Sequence, residues 1–218
     1  MNIVYAVYGA GGFGRQVLSF FKLQFASNKQ KDILFCYIDD NSNLDSIDGD
    51  KVLSYSEFLD LDCPKKYINI TIANSVIREN ISNNLHLDKT KLFSIISNQS
   101  TILSPIKADI ALILSPYTVI STNVSIGKYC HIGFHSSISH DCTIGDYVTI
   151  ATGVRCNGNV CIEDHAYIGS GAVIKQGTPD KPLVIGKGAV VGMGAVVTKS
   201  VPPGVTVVGN PARILEKK

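Results

Sequence analysis

Aliphatic side chains return every sixth residue through the second half of this chain, at Ile120, Ile126, Ile132, Ile138, Ile144 and Ile150. Cys156 interrupts the aliphatic series, which resumes at Ile162, Ile168 and Ile174 and, after a break, at Ile185, Val191 and Val197. Two residues before each stands a smaller side chain, among them Val124, Cys130, Ser136, Cys142, Val148, Ala166, Ala172, Ala189 and Ala195. The next position is often glycine, as at Gly127, Gly133, Gly145 and Gly169. A helical face recurs at three and four residues and a half-buried strand at two, so neither produces this spacing. A period of six predicts a parallel β-helix, in which each hexad supplies one short strand and one turn. Three hexads close a coil, the aliphatics fill the prism, and the small neighbours let the chain turn its corners. The period alone leaves the hand of the coils open. The break at 176–184 carries Pro179 and Pro182 and predicts an exposed loop.

The first half follows another rule. Residues 3–8 read as a strand, Gly9 to Gly14 as a tight turn and 15–24 as a helix. A second strand over 33–38 ends at Asp39 and Asp40. A short helix near 55–59, a third strand over 66–72 ending towards Ala73 and a helix over 75–85 follow. Strands alternating with helices predict a small parallel α/β sheet. The expected division is therefore 1–93 for an α/β domain and 94–218 for the β-helix, with 93–104 as the join.

The turn after the first strand matches G-x-G-x-x-G at Gly9, Gly11 and Gly14. Glycines there let backbone N–H groups approach phosphate oxygens at a helix N-terminus. A carboxylate closing the second strand can reach a ribose or a base. On its own the motif also fits an NAD-dependent oxidoreductase. The domain is too short for both halves of a dinucleotide fold, and a mononucleotide ligand suits it better.

Bulk properties narrow the class. With 45% hydrophobic and 17% charged residues the chain has the composition of a globular protein. A formal net charge of +2 argues for neither nucleic acid nor a membrane surface as partner. The N-terminus lacks the basic region and long apolar core of a secretory signal, and no apolar run reaches membrane-spanning length, so a cytoplasmic protein is expected. Six cysteines (Cys36, Cys63, Cys130, Cys142, Cys156, Cys161) lack zinc spacing and read as reduced, small hydrophobes.

The hexads, with Val208-Gly209-Asn210-Pro211-Ala212-Arg213, resemble the hexapeptide-repeat acyltransferases over residues 100–215. The resemblance implies left-handed coils and acetyl-CoA as donor. Tyr8 to Gly14 (YGAGGFG), Ile38-Asp39-Asp40-Asn41 and the hexads together are similar to the bacterial sugar N-acetyltransferases that acetylate a nucleotide-linked 4-amino-4,6-dideoxyhexose. They are also similar to sialic-acid O-acetyltransferase relatives. This resemblance spans nearly the whole chain. It implies that Gly11, Gly12 and Phe13 line the phosphate and nucleoside site, that Asp39 and Asp40 address base and ribose, and that Ala73 packs beside them. The nucleotide is expected to be UDP or dTDP, and the assembly a homotrimer with active sites between neighbours. In similar proteins loops such as 176–184 border a neighbouring subunit's cleft, and the bland alternative is a tolerated excursion.

Of five histidines, His86 falls in the predicted first-domain helix region, and His131, His135, His140 and His165 lie in the β-helix. His140, followed by Asp141, sits just past an interior aliphatic and matches the family's catalytic His-acid segment. An imidazole titrates near neutrality and can take the proton an attacking amine must lose. A carboxylate on its far nitrogen would fix the tautomer, the role expected of Asp141. His131 and His135 either line the same cleft or pave the outer face, and the second is expected. The family's second histidine, nine residues beyond the base, is Thr149 here, whose hydroxyl can still hydrogen-bond the coenzyme. Ser170 and Met193 stand where backbone amides would meet the pantetheine arm. Thioester aminolysis needs no metal, and none is expected. Two further readings are O-acetylation of a sialic-acid-type sugar and a non-catalytic nucleotide-sugar-binding scaffold.

Overall fold

A computed structural model describes residues 1–25, 32–87, 89–108 and 110–216. The chain divides into two compact units, Met1–Ser97 and Asn98–Lys218.

In the first unit β1 (Ile3–Tyr8) is followed by α1 (Gly12–Leu23) and β2 (Ile33–Ile38). Then come β3 (Ser46–Ile47), β4 (Asp50–Leu53), α2 (Tyr55–Asp60), β5 (Lys65–Ile70), α3 (Ser75–Asn83) and β6 (Lys91–Leu92). The sheet runs β3-β4-β2-β1-β5-β6 and is parallel except for the β3–β4 pair. Alternate residues of β1 serve its two faces. Val4 and Ala6 pack with Cys36, Ile38, Phe58 and Ile68 on the α2 side. Tyr5 meets the rings of Phe21, Phe25, Phe35, Tyr67 and Phe93 on the α1 side. The β3–β4 ribbon was not expected from the sequence. His86 stands past the end of α3 and not within a helix. Ala73 lies in the loop after β5, which ends at Ile70 and not near 72.

The second unit is a left-handed parallel β-helix with three sheets. Ile120 pairs with Ile138 and Ile126 with Ile144, so one coil takes eighteen residues. The interior positions expected from the hexads are buried, from Ile120 at 0% to Val197 at 1% exposure, and their small neighbours with them. Stacking of like side chains in a dry prism is what the hydrophobic effect rewards here.

The corners carry a second regularity. Residues with positive φ recur at Ala111, Tyr117, Asn123, Tyr129, His135, Asp141 and Tyr147, at Gly153, and on to Asn159 and His165. This left-handed conformation is disfavoured for side chains other than Gly, Asn and Asp. The aromatic corners are supported by their own stacks. Tyr129 and Tyr147 lie parallel at 5.3 Å, Tyr147 and His165 at 5.2 Å, and Tyr117 and His135 at 5.1 Å. His135 therefore paves a corner. His131 departs from expectation: beside the core residue Ile132 on its strand, it is buried at 2% exposure and does not pave an open face. The six cysteines are free, and Cys130, Cys142 and Cys156 lie buried in the prism core.

Candidate active site

His140 sits at the corner between the strands Ser137–Ile138 and Thr143–Ile144. The corner's φ of 58° falls on Asp141, which swings that carboxylate back beside the preceding side chain. His140 Nδ1 lies 2.7 Å from Asp141 Oδ2. The second carboxylate oxygen, Oδ1, accepts a 2.6 Å bond from Asn123 Nδ2. Asn123 occupies the same corner one coil earlier and shares the left-handed conformation, with φ 53°.

Two donors thus hold one carboxylate. The Asn123 amide first, and His140 second, keep the Asp141 carboxyl below its ordinary range. An ionised carboxylate only accepts, so Nδ1 presents a hydrogen to it, and in the neutral ring the lone pair is on Nε2. The imidazole is 56% exposed, which leaves Nε2 open to a reactant. Beneath the ring lies Gly158, the residue one coil later at the same corner, and it is buried.

The expected coenzyme contacts are not at this corner. Thr149 lies on a different sheet, in register between His131 and Tyr167. Ser170 and Met193 stand on the corner between the sheet of Tyr167–Ile168 and Val190–Val191 and the sheet of Val173–Ile174 and Val196–Val197. Met193 is 83% exposed, and Ser170 accepts a 2.8 Å backbone bond from Gly194. One chain therefore brings His140 and Asp141 together, and Ser170 and Met193 together, on separate edges of the prism.

The 176–184 loop leaves the prism on the His140 edge. Its tip closes through reciprocal Thr178–Lys181 backbone bonds of 3.0 and 3.1 Å, and Leu183 turns back into the core. Lys175, Thr178, Lys181, Pro182, Lys199 and Ser200 line a groove of about 850 Å³ beside it.

In the first unit Gly11–Phe13, Asp39, Asp40 and Ala73 gather past the C-terminal ends of β1, β2 and β5. Adjacent parallel strands in an open α/β sheet take ligands at that edge. The glycines divide by cause. Gly9 has φ 116°, and a Cβ on Gly14 would lie 1.8 Å from the Gly9 carbonyl oxygen, so both are demanded by the turn. Gly11 and Gly12 have no positive φ, and a Cβ there would meet nothing within 4 Å. The fold does not require them to be glycine. They are exposed at the start of α1, which has no side-chain cap.

The two aspartates also have structural work. Asp39 accepts from the Ala10 and Asn41 N–H groups, each at 3.1 Å, tying the glycine turn to the end of β2. Asp40 accepts from the Tyr55 N–H at 2.7 Å and from the Tyr8 hydroxyl. Burial, with Asp40 beside it, pushes the Tyr8 hydroxyl pKa up, so it stays a donor. The loop of Ala73 is held by Arg78, buried at 0% exposure, whose Nη1 donates to the Ile72 and Ala73 carbonyls at 2.6 and 3.2 Å. Asn123, Gly158 and Arg78 were not singled out from the sequence. A step of eighteen residues from His140 or Asp141 along the hexads finds the first two.

Comparison with known proteins adds three family models. The PglD N-terminal domain matches residues 5–85, the bacterial transferase hexapeptide (six repeats) 123–158, and the hexapeptide repeat of succinyl-transferase 159–199. The chain is 45% identical to a GDP-perosamine N-acetyltransferase of Escherichia coli O157:H7, over 100% of this chain and 98% of that one. Among solved structures it is similar to WeeI from Acinetobacter baumannii AYE, at 51% identity and a TM-score of 0.91, covering 98% of this chain and 100% of that one. It is also similar to the acetyltransferase domain of PglB from Neisseria gonorrhoeae FA1090 in complex with acetyl coenzyme A. There the identity is 25% and the TM-score 0.84, over 99% of this chain and 100% of that one.

Proposed function

Since the chain belongs to the hexapeptide-repeat sugar N-acetyltransferases that carry a PglD-type N-terminal domain, we propose that it acetylates the 4-amino group of a nucleotide-linked 4-amino-4,6-dideoxyhexose. Acetyl-CoA is the donor. The observation that carries the reading is the His140–Asp141 pair, held with Nε2 free at an open corner.

Transfer is direct. The amine nitrogen attacks the thioester carbonyl carbon, and the C–N bond forms as His140 Nε2 takes the proton the nitrogen must lose. The C–S bond then breaks, and the departing thiolate takes that proton back from His140. Asp141 fixes the tautomer and stabilises the imidazolium between these two events. No metal enters the scheme.

Gly11, Gly12 and Phe13 hold the diphosphate, and their support is that the turn itself does not need Gly11 and Gly12. Asp39 and Asp40 each have lone pairs beyond their internal bonds with which to meet base and ribose, with Ala73 alongside. The relative's name makes GDP the first nucleotide to test beside UDP and dTDP. Thr149, Ser170 and Met193 serve the coenzyme. Because they lie away from the His140 edge, a neighbouring subunit's edge completes each site, and this supports a homotrimer. The co-substrates are cytoplasmic metabolites, which supports a cytoplasmic enzyme acting in surface-glycan synthesis. Among the described residues no helix is long and apolar enough to cross a membrane.

The test is thiol release from acetyl-CoA with a panel of GDP-, UDP- and dTDP-linked 4-amino sugars. Turnover of one of them supports the reading. Turnover of a free sugar hydroxyl, with every amino sugar inert, transfers it to O-acetylation.

A further inference from the structure

We infer that Gly158 is a positioning residue for His140, a seat whose missing side chain makes room for the imidazole. The inference rests on the reading of His140 as the base.

Three observations carry it. Gly158 is buried and has no positive φ, so the corner does not call for glycine on conformational grounds. The same corner position one and two coils earlier is filled by His140 and Thr122, so the prism accepts side chains there. What differs at 158 is the neighbour. A Cβ on Gly158 would lie 2.6 Å from His140 Cε1, 2.7 Å from Nε2 and 3.1 Å from Nδ1. Those distances reach most of the ring at once, and the first two are well inside van der Waals contact. The imidazole therefore rests on the glycine backbone, with its edge on Asp141.

The seat is itself fixed from both sides. Asn159 donates its N–H to the His140 carbonyl at 3.1 Å, and Gly177 donates to the Gly158 carbonyl at 3.0 Å. Asn157 donates through its side chain to the Ile174 carbonyl at 2.7 Å. The base of the 176–184 loop thus supports the floor under the ring.

Adding a methyl group at Gly158 forces the ring outward and breaks its alignment with Asp141. The ring is half exposed and can swing into solvent, so stability suffers little while geometry is lost. A displacement on that scale costs about 100-fold in rate. Gly158→Ala is therefore expected to lower kcat about 100-fold, with KM for both substrates and Tm near wild type. In a His140→Ala background the same change is expected to have no further effect, because the group it positions is gone. Full kcat in Gly158→Ala overturns the proposal, as does an equal loss in both backgrounds. If Gly158→Ala does not fold, the wild-type protein decides: a strong nuclear Overhauser contact between the Gly158 Hα and His140 Hε1 protons is expected, and its absence overturns the seat. Near-full activity in His140→Ala alone would instead overturn the base assignment on which this rests.

Discussion

His140 Nδ1 and Asp141 Oδ2 are 2.7 Å apart although the two residues are neighbours in sequence. Adjacent side chains on an extended strand point to opposite faces. They meet here because Asp141 takes the left-handed corner conformation, with φ 58°, and Asn123 draws its other oxygen into line. The fold of the repeat therefore sets the tautomer of the base.

Asp141→Asn keeps the shape but not the chemistry. Asn123 and His140 Nδ1 meet different carboxylate oxygens, and an amide puts an NH2 donor in place of one of them, so one donor loses its partner. A fall in kcat of about 10- to 100-fold is expected, with coenzyme affinity retained. Steady-state kinetics with full rate would remove Asp141 from the mechanism.

Asn123→Ala tests the outer member. Its amide is the larger of the causes that hold the Asp141 carboxyl below 3.8. A carboxyl depressed on folding adds stability that is present above about pH 4 and lost as the pH falls through the folded value. With Asn123 gone, the Asp141 titration is expected to move up towards its ordinary value, and the acid-side loss of stability to become smaller and to be complete at a higher pH. Carboxyl NMR titration reads this directly. Identical titrations in the two proteins would contradict it.

Gly14→Ala and Gly12→Ala should part company. The first places a Cβ 1.8 Å from a backbone oxygen and is expected to unfold the glycine turn, lowering Tm sharply. The second meets open space in the fold and is expected to leave Tm alone while raising KM for the nucleotide sugar about 10-fold, the loss of roughly one contact's worth of binding. Equal behaviour in thermal melts and kinetics would remove the distinction drawn between these glycines.

Mixing experiments test the shared site. His140→Ala and a Ser170→Trp variant that blocks the other edge are each expected to be inactive. Refolded together, they should regain activity, because some mixed trimers then hold an intact pair of edges. Absence of any recovery in assembled mixtures would put base and coenzyme contacts in one subunit.

The prism was legible because its spacing of six belongs to no other regular structure, and Ile120 to Ile174 sit in the core as that spacing requires. The family came into view from YGAGGFG, the aspartate pair and the hexads. What escaped lies across coils. Asn123 and Gly158 act on the His140 pair through stacking, which sequence neighbours do not reveal. His131 resembles an outward strand residue by phase, yet it is buried, since burial of an outer face depends on what covers it. The β3–β4 ribbon is two short strands in a polar stretch with no alternation to mark it. Nothing in the sequence marks Arg78 among the charges of α3, and its work on the Ala73 loop appears only in three dimensions.

The central claim is that His140 is the base for acetyl transfer to an amino sugar. Its most direct test is single-turnover acetyl transfer by His140→Ala, using whichever nucleotide-linked 4-amino sugar the wild-type enzyme accepts. The expected result is a folded protein that binds acetyl-CoA normally and transfers about 10²- to 10⁴-fold more slowly. Transfer at near the wild-type rate would contradict it.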